Sequence, residues 1–252
     1  MSNVILDDEP EYLVTKDILY ADDTLLASSN SANMERLVNA IVQESVAYGF
    51  EINWDKTVQI QVATARKINR PDGGPISCSR EAVYLGGLVT CDGKAGRELV
   101  RRLGEGRRVF DGLCKVWSHA GITRARKLEI YCACVVSKIL YSMESLWLLQ
   151  ADRAKLDAFH YKCLRKILGI PCSFISRVPN AHILEQSGRP MLSQLLLDRQ
   201  MKQYVKIAAQ LADCIIRKLV CQDDGQPRTW YFRRKRGRPR QMWAAMVHNE
   251  IA

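Results

Sequence analysis

The chain has 252 residues, 47% of them hydrophobic, so it can bury a core and disorder throughout is not expected. Its net charge of +10 is unevenly placed: residues 1–60 hold eleven acidic and three basic side chains, whereas the rest holds 16 acidic and 34 basic ones. This asymmetry favours binding of an anionic polymer along the later two-thirds of the chain and binding of cations at its acidic front. The alternative is a basic surface that is simply solvated.

The cysteine spacing and the hydropathy pattern exclude several classes of protein. The nine cysteines include no Cys-x-x-Cys pair, and we interpret them as reduced residues of an intracellular protein rather than as disulfides or zinc ligands. The start of the chain lacks the pattern of a secretory signal. The most apolar segment, residues 130–149, contains Lys138 and Glu144, so we predict a buried helix there and no membrane partner.

Residues 18–26 form two short apolar runs on either side of the adjacent carboxylates Asp22 and Asp23. This pattern predicts a tight β-turn between strands over residues 11–20 and 24–29. Adjacent aspartates repel each other unless a cation lies between them, and Mg²⁺ is the natural partner of such oxygen ligands. In phosphoryl transfer, two such ions about 3.5–4 Å apart activate the attacking oxygen and stabilise the leaving one. A solvated turn is the alternative interpretation.

Both a helix and strands are predicted in the region after this turn. A three- and four-residue apolar spacing predicts a helix that begins near Ser31 and ends near Gly49. The segments that follow are predicted as an extended run at 50–53, a half-buried strand at 58–62, a loop at 64–80 and a strand at 83–90 that bends at its paired glycines.

From about residue 95 the pattern becomes helical. We predict helices over residues 96–117, 123–149, 152–168 and 190–220; the second is apolar nearly all round and is therefore expected to be central and buried. The first carries a series of arginines beside its apolar positions. Residues 222–227 form the clearest linker of the chain, and we place a domain boundary there.

The order of these motifs resembles the reverse transcriptases of non-LTR (LINE-type) retrotransposons. The series comprises Tyr20-Ala21-Asp22-Asp23, a helix, Gly49-Phe50-Glu51-Ile52-Asn53 with Lys56-Thr57, then Tyr84-Leu85-Gly86 and a basic helical region. It covers about residues 17–243. The resemblance implies an α+β fold: a partial polymerase palm, with an antiparallel sheet and a helix, at residues 1–94, a mainly helical thumb and extension at 95–221, and a linker with a basic tail at 222–252.

The resemblance also implies an RNA-directed DNA polymerase, a nucleotidyltransferase that uses two Mg²⁺ ions on an RNA template and a DNA primer or target. Asp22 would be the first metal ligand and Asp23 the second. Tyr20 would lie near the primer end or the incoming nucleotide, and Lys56 near the departing pyrophosphate as a proton donor. Further contacts are expected from the primer-gripping Tyr84, Leu85 and Gly86, and from Arg101, Arg102, Arg107 and Arg108 on nucleic acid.

In that family another catalytic aspartate lies on a palm strand well upstream of the turn, whereas nineteen residues precede Tyr20 here. Asp7 and Asp8 lie too close to the turn to be that ligand, so we interpret them as surface acids. We therefore expect a chain that begins part-way through the palm, binds Mg²⁺ weakly and does not polymerise DNA alone. An exposed palm surface is expected to favour self-association. The alternative function is a noncatalytic nucleic-acid-binding protein.

Residues 233–240 hold six basic side chains in eight positions, the densest charge run of the chain. Arg-Gly-Arg-Pro flanked by bases resembles the AT-hook, which inserts arginine into narrow A·T-rich minor grooves. The same run suits a nuclear import signal or a nonspecific phosphate-binding tail, and the three interpretations are not exclusive. They predict a nuclear protein that contacts nucleic acid through Arg233, Arg234, Arg236, Arg238 and Arg240.

Overall fold

The computed structural model describes residues 17–28, 30–62, 65–119, 121–228 and 242–251. It is 55% helical and 12% strand, which confirms the predicted mixture of helices and strands. The chain divides into two compact units between Lys94 and Ala95, the position at which the sequence analysis ends its first domain. Among the described residues, no helix is both long enough and apolar enough to cross a membrane.

The first unit, up to Lys94, combines one helix with three small sheets in its described part. Each sheet has two strands; two are antiparallel hairpins and the third is a parallel pair. In chain order the elements are β1 (Asp17–Tyr20), β2 (Asp23–Leu26), α1 (Ser31–Ala47), β3 (Val58–Ile60), β4 (Ser77–Ser79), β5 (Glu81–Tyr84) and β6 (Gly87–Thr90).

Helix α1 begins at Ser31, as predicted, and its N-cap residue is Asn30. The side chain of Asn30, not Ser31, accepts the hydrogen bond from the amide of Ala32 at 2.9 Å. At the other end Gly49 has φ 72°, and the amide of Phe50 donates to the carbonyl of Ser45. Residues 50–53, predicted as an extended run, follow this helix end and belong to no strand.

Two other predictions for the first unit need correction. The loop predicted at 64–80 contains β4, which pairs with β3 in parallel. The bent strand predicted at 83–90 is a complete hairpin, because Leu85 and Gly86 both have positive φ and reverse the chain between β5 and β6.

All the named elements in the described residues of the second unit are helices. Its elements are α2 (Ala95–His119), α3 (Arg124–Tyr131), a π-helical segment (Cys132–Val136), α4 (Ser137–Leu140), α5 (Gln150–Leu168), α6 (Ser173–Ser176), α7 (Asn180–Ser187), α8 (Leu192–Ala208), α9 (Ile215–Val220) and α10 (Trp243–Asn249).

The main core lies between α2, the α3–α4 stretch, α5, α7 and α8. A Cβ atom added to Gly106 would lie 2.5 Å from Cγ1 of Ile139, so glycine permits the close approach of α2 and α4. Edge-to-face contact between Phe110 and Tyr131, with ring centroids 5.7 Å apart, fills the space beside it. The fully buried apolar side chains in this core include Leu99, Tyr131, Ile139, Leu140, Leu156 and Leu164.

The helix predicted over residues 123–149 is interrupted twice. Residues 132–136 are π-helical, and the chain leaves the helix after Leu140, where Ser142 has φ 62°. Met143 and Leu148 are 0% and 1% exposed, so the following segment returns to the core instead of continuing along the helix axis. The helix predicted at 190–220 is likewise two helices, α8 and α9.

The described part of residues 222–252 differs from the predicted linker and tail. The amide of Gln222 donates to the carbonyl of Gln226 at 2.7 Å, and that of Arg228 to Val220 at 2.8 Å, so the segment is a closed turn. Helix α10 then packs on α8 in a second core cluster, made by Tyr204, Cys221, Ala244 and Val247. Apolar side chains in the last helix explain why it joins the second unit. The basic run 233–240 lies outside the described residues.

Candidate functional site

The two adjacent aspartates lie at the tip of the hairpin formed by β1 and β2, which we call the Asp-Asp hairpin (residues 17–26). Tyr20 pairs with Asp23, so Ala21 and Asp22 are the two turn residues. Ala21 has φ 52°, at a position where two-residue hairpin turns favour glycine. A non-glycine residue there costs about 1–2 kcal/mol. The turn that carries the carboxylates is therefore strained, as backbone at functional sites often is.

The register sets which side chains share a face with the carboxylates. Tyr20 and Asp23 are directly opposed, on the same face as Ile18 and Leu25, because successive strand residues alternate sides. Asp22 lies at the tip. Both aspartates and Tyr20 are exposed, and neither carboxylate makes an ion pair with another described residue. A cation or a phosphorylated ligand can thus approach the tip from solvent.

The donor set of the tip suits a hard divalent ion in part. Two adjacent carboxylates offer the oxygen ligands that Mg²⁺ prefers, with water to complete the coordination shell. Within the described ranges, no cluster of three or more His, Cys, Asp or Glu side chains could hold a metal ion. Asp22 and Asp23 are accordingly the residues that would hold one, together with ligands from water, nucleotide or another segment.

A second hairpin, formed by β5 and β6 and called here the Tyr84 hairpin (residues 81–90), is tied to the first. The hydroxyl of Tyr84 donates to the carbonyl of Ile18 at 2.9 Å. Leu85 and Gly86 form its turn with φ 48° and 77°, the pattern of a type I′ turn. The structure therefore brings together two of the predicted motifs through residues that lie 66 positions apart in the chain.

Lys56 lies in a turn organised by Asn53. The carbonyl of Asn53 accepts from the amides of Lys56 and Thr57 and from the Thr57 hydroxyl, the last at 2.8 Å, and its side-chain oxygen accepts from the Lys56 amide. This explains locally why asparagine and threonine flank the lysine. The Lys56 ammonium is exposed and makes no ion pair with Asp22 or Asp23, so no described contact connects it to the Asp-Asp hairpin.

The four arginines predicted on α2 fall into two groups. The Glu98 carboxylate, 1% exposed, accepts from Nε of Arg102 at 2.6 Å and from Nε and Nη2 of Arg101 at 2.7 Å each. Its hydrogen bonds to Arg101 raise the pKa of that guanidinium. Arg102 is buried and its guanidinium lies over the Tyr141 ring, 4.8 Å from the centroid. Both side chains thus stabilise the helix, which corrects the prediction that Arg102 is available to nucleic acid.

The other two arginines of this series, Arg107 and Arg108, are exposed one to two turns further along α2. Their side chains are accessible to solvent, as contact with phosphate groups requires. The arginines predicted in the basic run, Arg233, Arg234, Arg236, Arg238 and Arg240, lie outside the described residues.

A basic face on α8 was not predicted from the sequence. Arg199, Lys202 and Lys206 recur at steps of three and four residues and line an open groove of about 460 Å³ together with Glu144 and Ser145. The helical spacing of the bases was visible in the sequence. The opposite wall was not, because residues 144 and 145 were assigned to a continuous helix.

Comparisons of the chain with protein-family models, with curated proteins and with solved structures give no match. The resemblance to a reverse transcriptase therefore rests on the ordered sequence motifs alone.

Proposed function

We propose that the first unit belongs to the palm of an RNA-directed DNA polymerase of the non-LTR retrotransposon type, and that the second unit is its thumb and helical extension. The observation that carries the proposal is the Asp-Asp hairpin: a strained two-residue turn presents two adjacent carboxylates to solvent. The Tyr84 hydroxyl ties to this hairpin a second turn that resembles the primer grip.

The reaction of such a polymerase is in-line attack of a primer 3′-hydroxyl on the α-phosphate of a nucleotide, which releases pyrophosphate. Bound Mg²⁺ supplies charge stabilisation for the attacking and leaving oxygens. The chain's own contribution is positioning: Asp22 and Asp23 orient the ligands at the tip, and Tyr20, on the face of Asp23, contacts the primer end or the nucleotide. By the resemblance, Lys56 would be the proton donor to pyrophosphate.

Within the described residues no third carboxylate joins Asp22 and Asp23, and two alone do not hold two Mg²⁺ ions in catalytic geometry, so we expect no primer extension by the purified chain. The assay is nucleotide incorporation by the purified protein on an RNA template with a DNA primer and Mg²⁺. Incorporation that Asp22→Ala abolishes would contradict this expectation.

A noncatalytic nucleic-acid-binding protein is the second candidate. The observation that favours it is the charge of the chain after residue 60, with 34 basic and 16 acidic side chains. Such a surface attracts phosphate backbones independently of the Asp-Asp hairpin. The two candidates differ in one respect: a polymerase palm recognises the primer end, whereas a basic surface does not.

Fluorescence anisotropy on two hybrids of equal length separates these candidates. One has a recessed DNA 3′ end on an RNA template, and the other is blunt. The polymerase proposal predicts tighter binding of the recessed hybrid in Mg²⁺, and loss of that preference in the Asp22→Asn/Asp23→Asn variant. Asp17→Asn is a single-charge control on the same hairpin, since it removes one carboxylate about 10 Å away along the strand. Equal affinities for both hybrids would leave the second candidate.

A further inference from the structure

The groove beside α8 has walls that are fixed by buried contacts. The side-chain amide of Gln200, 1% exposed, donates to the carbonyl of Leu146 and so joins α8 to the segment that follows α4. Met143 and Leu148 anchor that segment in the core on both sides. At the start of α8, Asp157 accepts hydrogen bonds from the amide and hydroxyl of Ser193 at 2.9 and 2.6 Å. The groove is therefore a built feature and not a gap between mobile side chains.

The charges in the groove are arranged along a line. Arg199, Lys202 and Lys206 project from one face of α8, and the seven residue steps from the first to the last span about 10.5 Å of helix axis. Bases in a stacked strand rise about 3.4 Å per nucleotide, so this row matches the length of about three nucleotides. An extended anion fits such a row better than a single small one does.

One carboxylate acts as a counter-ion in the absence of a ligand. Glu144 Oε1 lies 3.4 Å from Nη1 of Arg199, and both side chains are about one-third exposed. This ion pair is weak because both groups remain in contact with water. A phosphate can displace the carboxylate, and Glu144 thereby lowers the affinity of the groove for polyanions.

We propose that the α8 groove, formed by Arg199, Lys202 and Lys206 opposite Glu144 and Ser145, binds the phosphodiester backbone of nucleic acid. The inference rests on the proposed function, in which the chain binds nucleic acid, and it adds a site for that contact. Arg199 and the two lysines neutralise successive phosphates, Ser145 offers a hydroxyl, and Glu144 is released from Arg199 on binding.

The experiment compares two triple variants with the same change of charge. Arg199→Gln/Lys202→Gln/Lys206→Gln removes the row, whereas Lys67→Gln/Lys115→Gln/Lys162→Gln removes three exposed lysines on other segments. Anisotropy with a single-stranded RNA and with an RNA–DNA hybrid, over a range of salt, gives the affinity and its salt dependence for each ligand.

We expect the groove variant to lose on the order of 100-fold in affinity at about 0.1 M salt, and its slope of log K against log salt to fall by roughly 2–3, since each phosphate contact contributes about 0.7–0.9. The control variant should retain most of both. The ligand with the larger loss identifies whether a single strand or a hybrid occupies the groove.

Glu144→Gln provides a test of opposite sign. Removing the counter-ion should tighten binding several-fold, beyond the effect of Glu185→Gln, an exposed acid on α7 that changes the charge equally. If the wild-type protein binds neither nucleic acid, the proposed function and this inference both fail. If it binds but the groove variant matches the control variant, or Glu144→Gln matches Glu185→Gln, the inference alone is wrong.

Discussion

The two units of the chain differ in how much they bury and in what they expose. In the described part of the first unit the buried hydrophobic side chains are Val38, Ile68 and Ile76, while Leu19 and Tyr20 are more than 60% exposed. The second unit buries a large cluster around α2, α5 and α8. The first unit thus presents chemistry on small hairpins with little core beneath them, and the second presents charge on a rigid scaffold. Two-stranded sheets are marginal alone, so the first unit depends strongly on its local turns.

The largest effect is expected from the buried ion cluster of the second unit. Glu98→Gln removes the carboxylate that binds Arg101 and Arg102, and it should lower the free energy of unfolding by about 3–4 kcal/mol because Arg102 remains buried. Urea unfolding measures this. Glu105→Gln, at the more exposed end of the cluster, should cost much less. Equal costs would show that Arg102 does not depend on Glu98 and would reopen a role in binding.

A pair of leucine variants tests the contrast between the two units. Leu156→Ala should destabilise the second unit by about 3 kcal/mol, because it opens a cavity at a side chain that is 0% exposed. Leu19→Ala, at an exposed position of β1, should leave stability nearly unchanged but reduce self-association in sedimentation velocity. A stability loss of similar size at both positions would contradict the contrast.

Acid should weaken the second unit through His160. Burial lowers the pKa of this imidazole from 6.5 to about 4, while its ring nitrogens bond the Tyr131 hydroxyl and the carbonyl of Pro190. The unfolded state therefore binds a proton between pH 6.5 and 4 that the folded state does not. The stability is fully present above pH 6.5 and falls by up to about 3 kcal/mol towards pH 4.

Urea unfolding at pH 7.5 and pH 5 checks this shift, with His160→Gln as the variant that should lose that part of the pH dependence. An unchanged pH dependence in His160→Gln would assign the acid sensitivity to other groups.

The smallest effect concerns the strained turn. Ala21→Gly should relieve positive-φ strain and protect the amides of β1 and β2 from hydrogen exchange, with a gain of about 1 kcal/mol offset in part by the greater freedom of glycine in the unfolded chain. Val83→Ala, an exposed position in the Tyr84 hairpin, is the control. Faster exchange in Ala21→Gly would mean that the turn is not strained.

Local signals in the sequence predicted much of the fold, and tertiary contacts account for what it missed. Helix α5 ends at Gly169, with φ 76°, as expected for glycine after a helix. The two apolar runs beside Asp22 and Asp23 pair with each other as the strands of the Asp-Asp hairpin. The break after Leu140 depends on the burial of Met143 and Leu148, which no local pattern reveals. The parallel partner of β3 is a Ser-Cys-Ser segment without apolar alternation, so its pairing is set by distant residues.

In the candidate site, too, local motifs could be predicted from the sequence, whereas contacts between distant residues could not. The two carboxylates and the Tyr84 turn were visible as motifs, but the hydrogen bond between Tyr84 and Ile18 joins residues far apart in the chain. The sequence could not separate Arg102 from Arg107, because their difference lies in the neighbours Glu98 and Tyr141. Similarly, the basic side chains of α8 line a groove only because Glu144, from a different segment, lies beside them.

Iron-mediated cleavage tests the central claim, that Asp22 and Asp23 form a metal site at the primer end. Fe²⁺ can replace Mg²⁺ at oxygen ligands, and with ascorbate and peroxide it cuts the backbones beside it. With the recessed hybrid bound, the account predicts polypeptide cuts at the Asp-Asp hairpin and nucleic-acid cuts at the primer 3′ end. Excess Mg²⁺ should suppress both, Asp22→Asn/Asp23→Asn should lack them, and Asp17→Asn should retain them. Bound hybrid without cleavage at the hairpin would contradict the account.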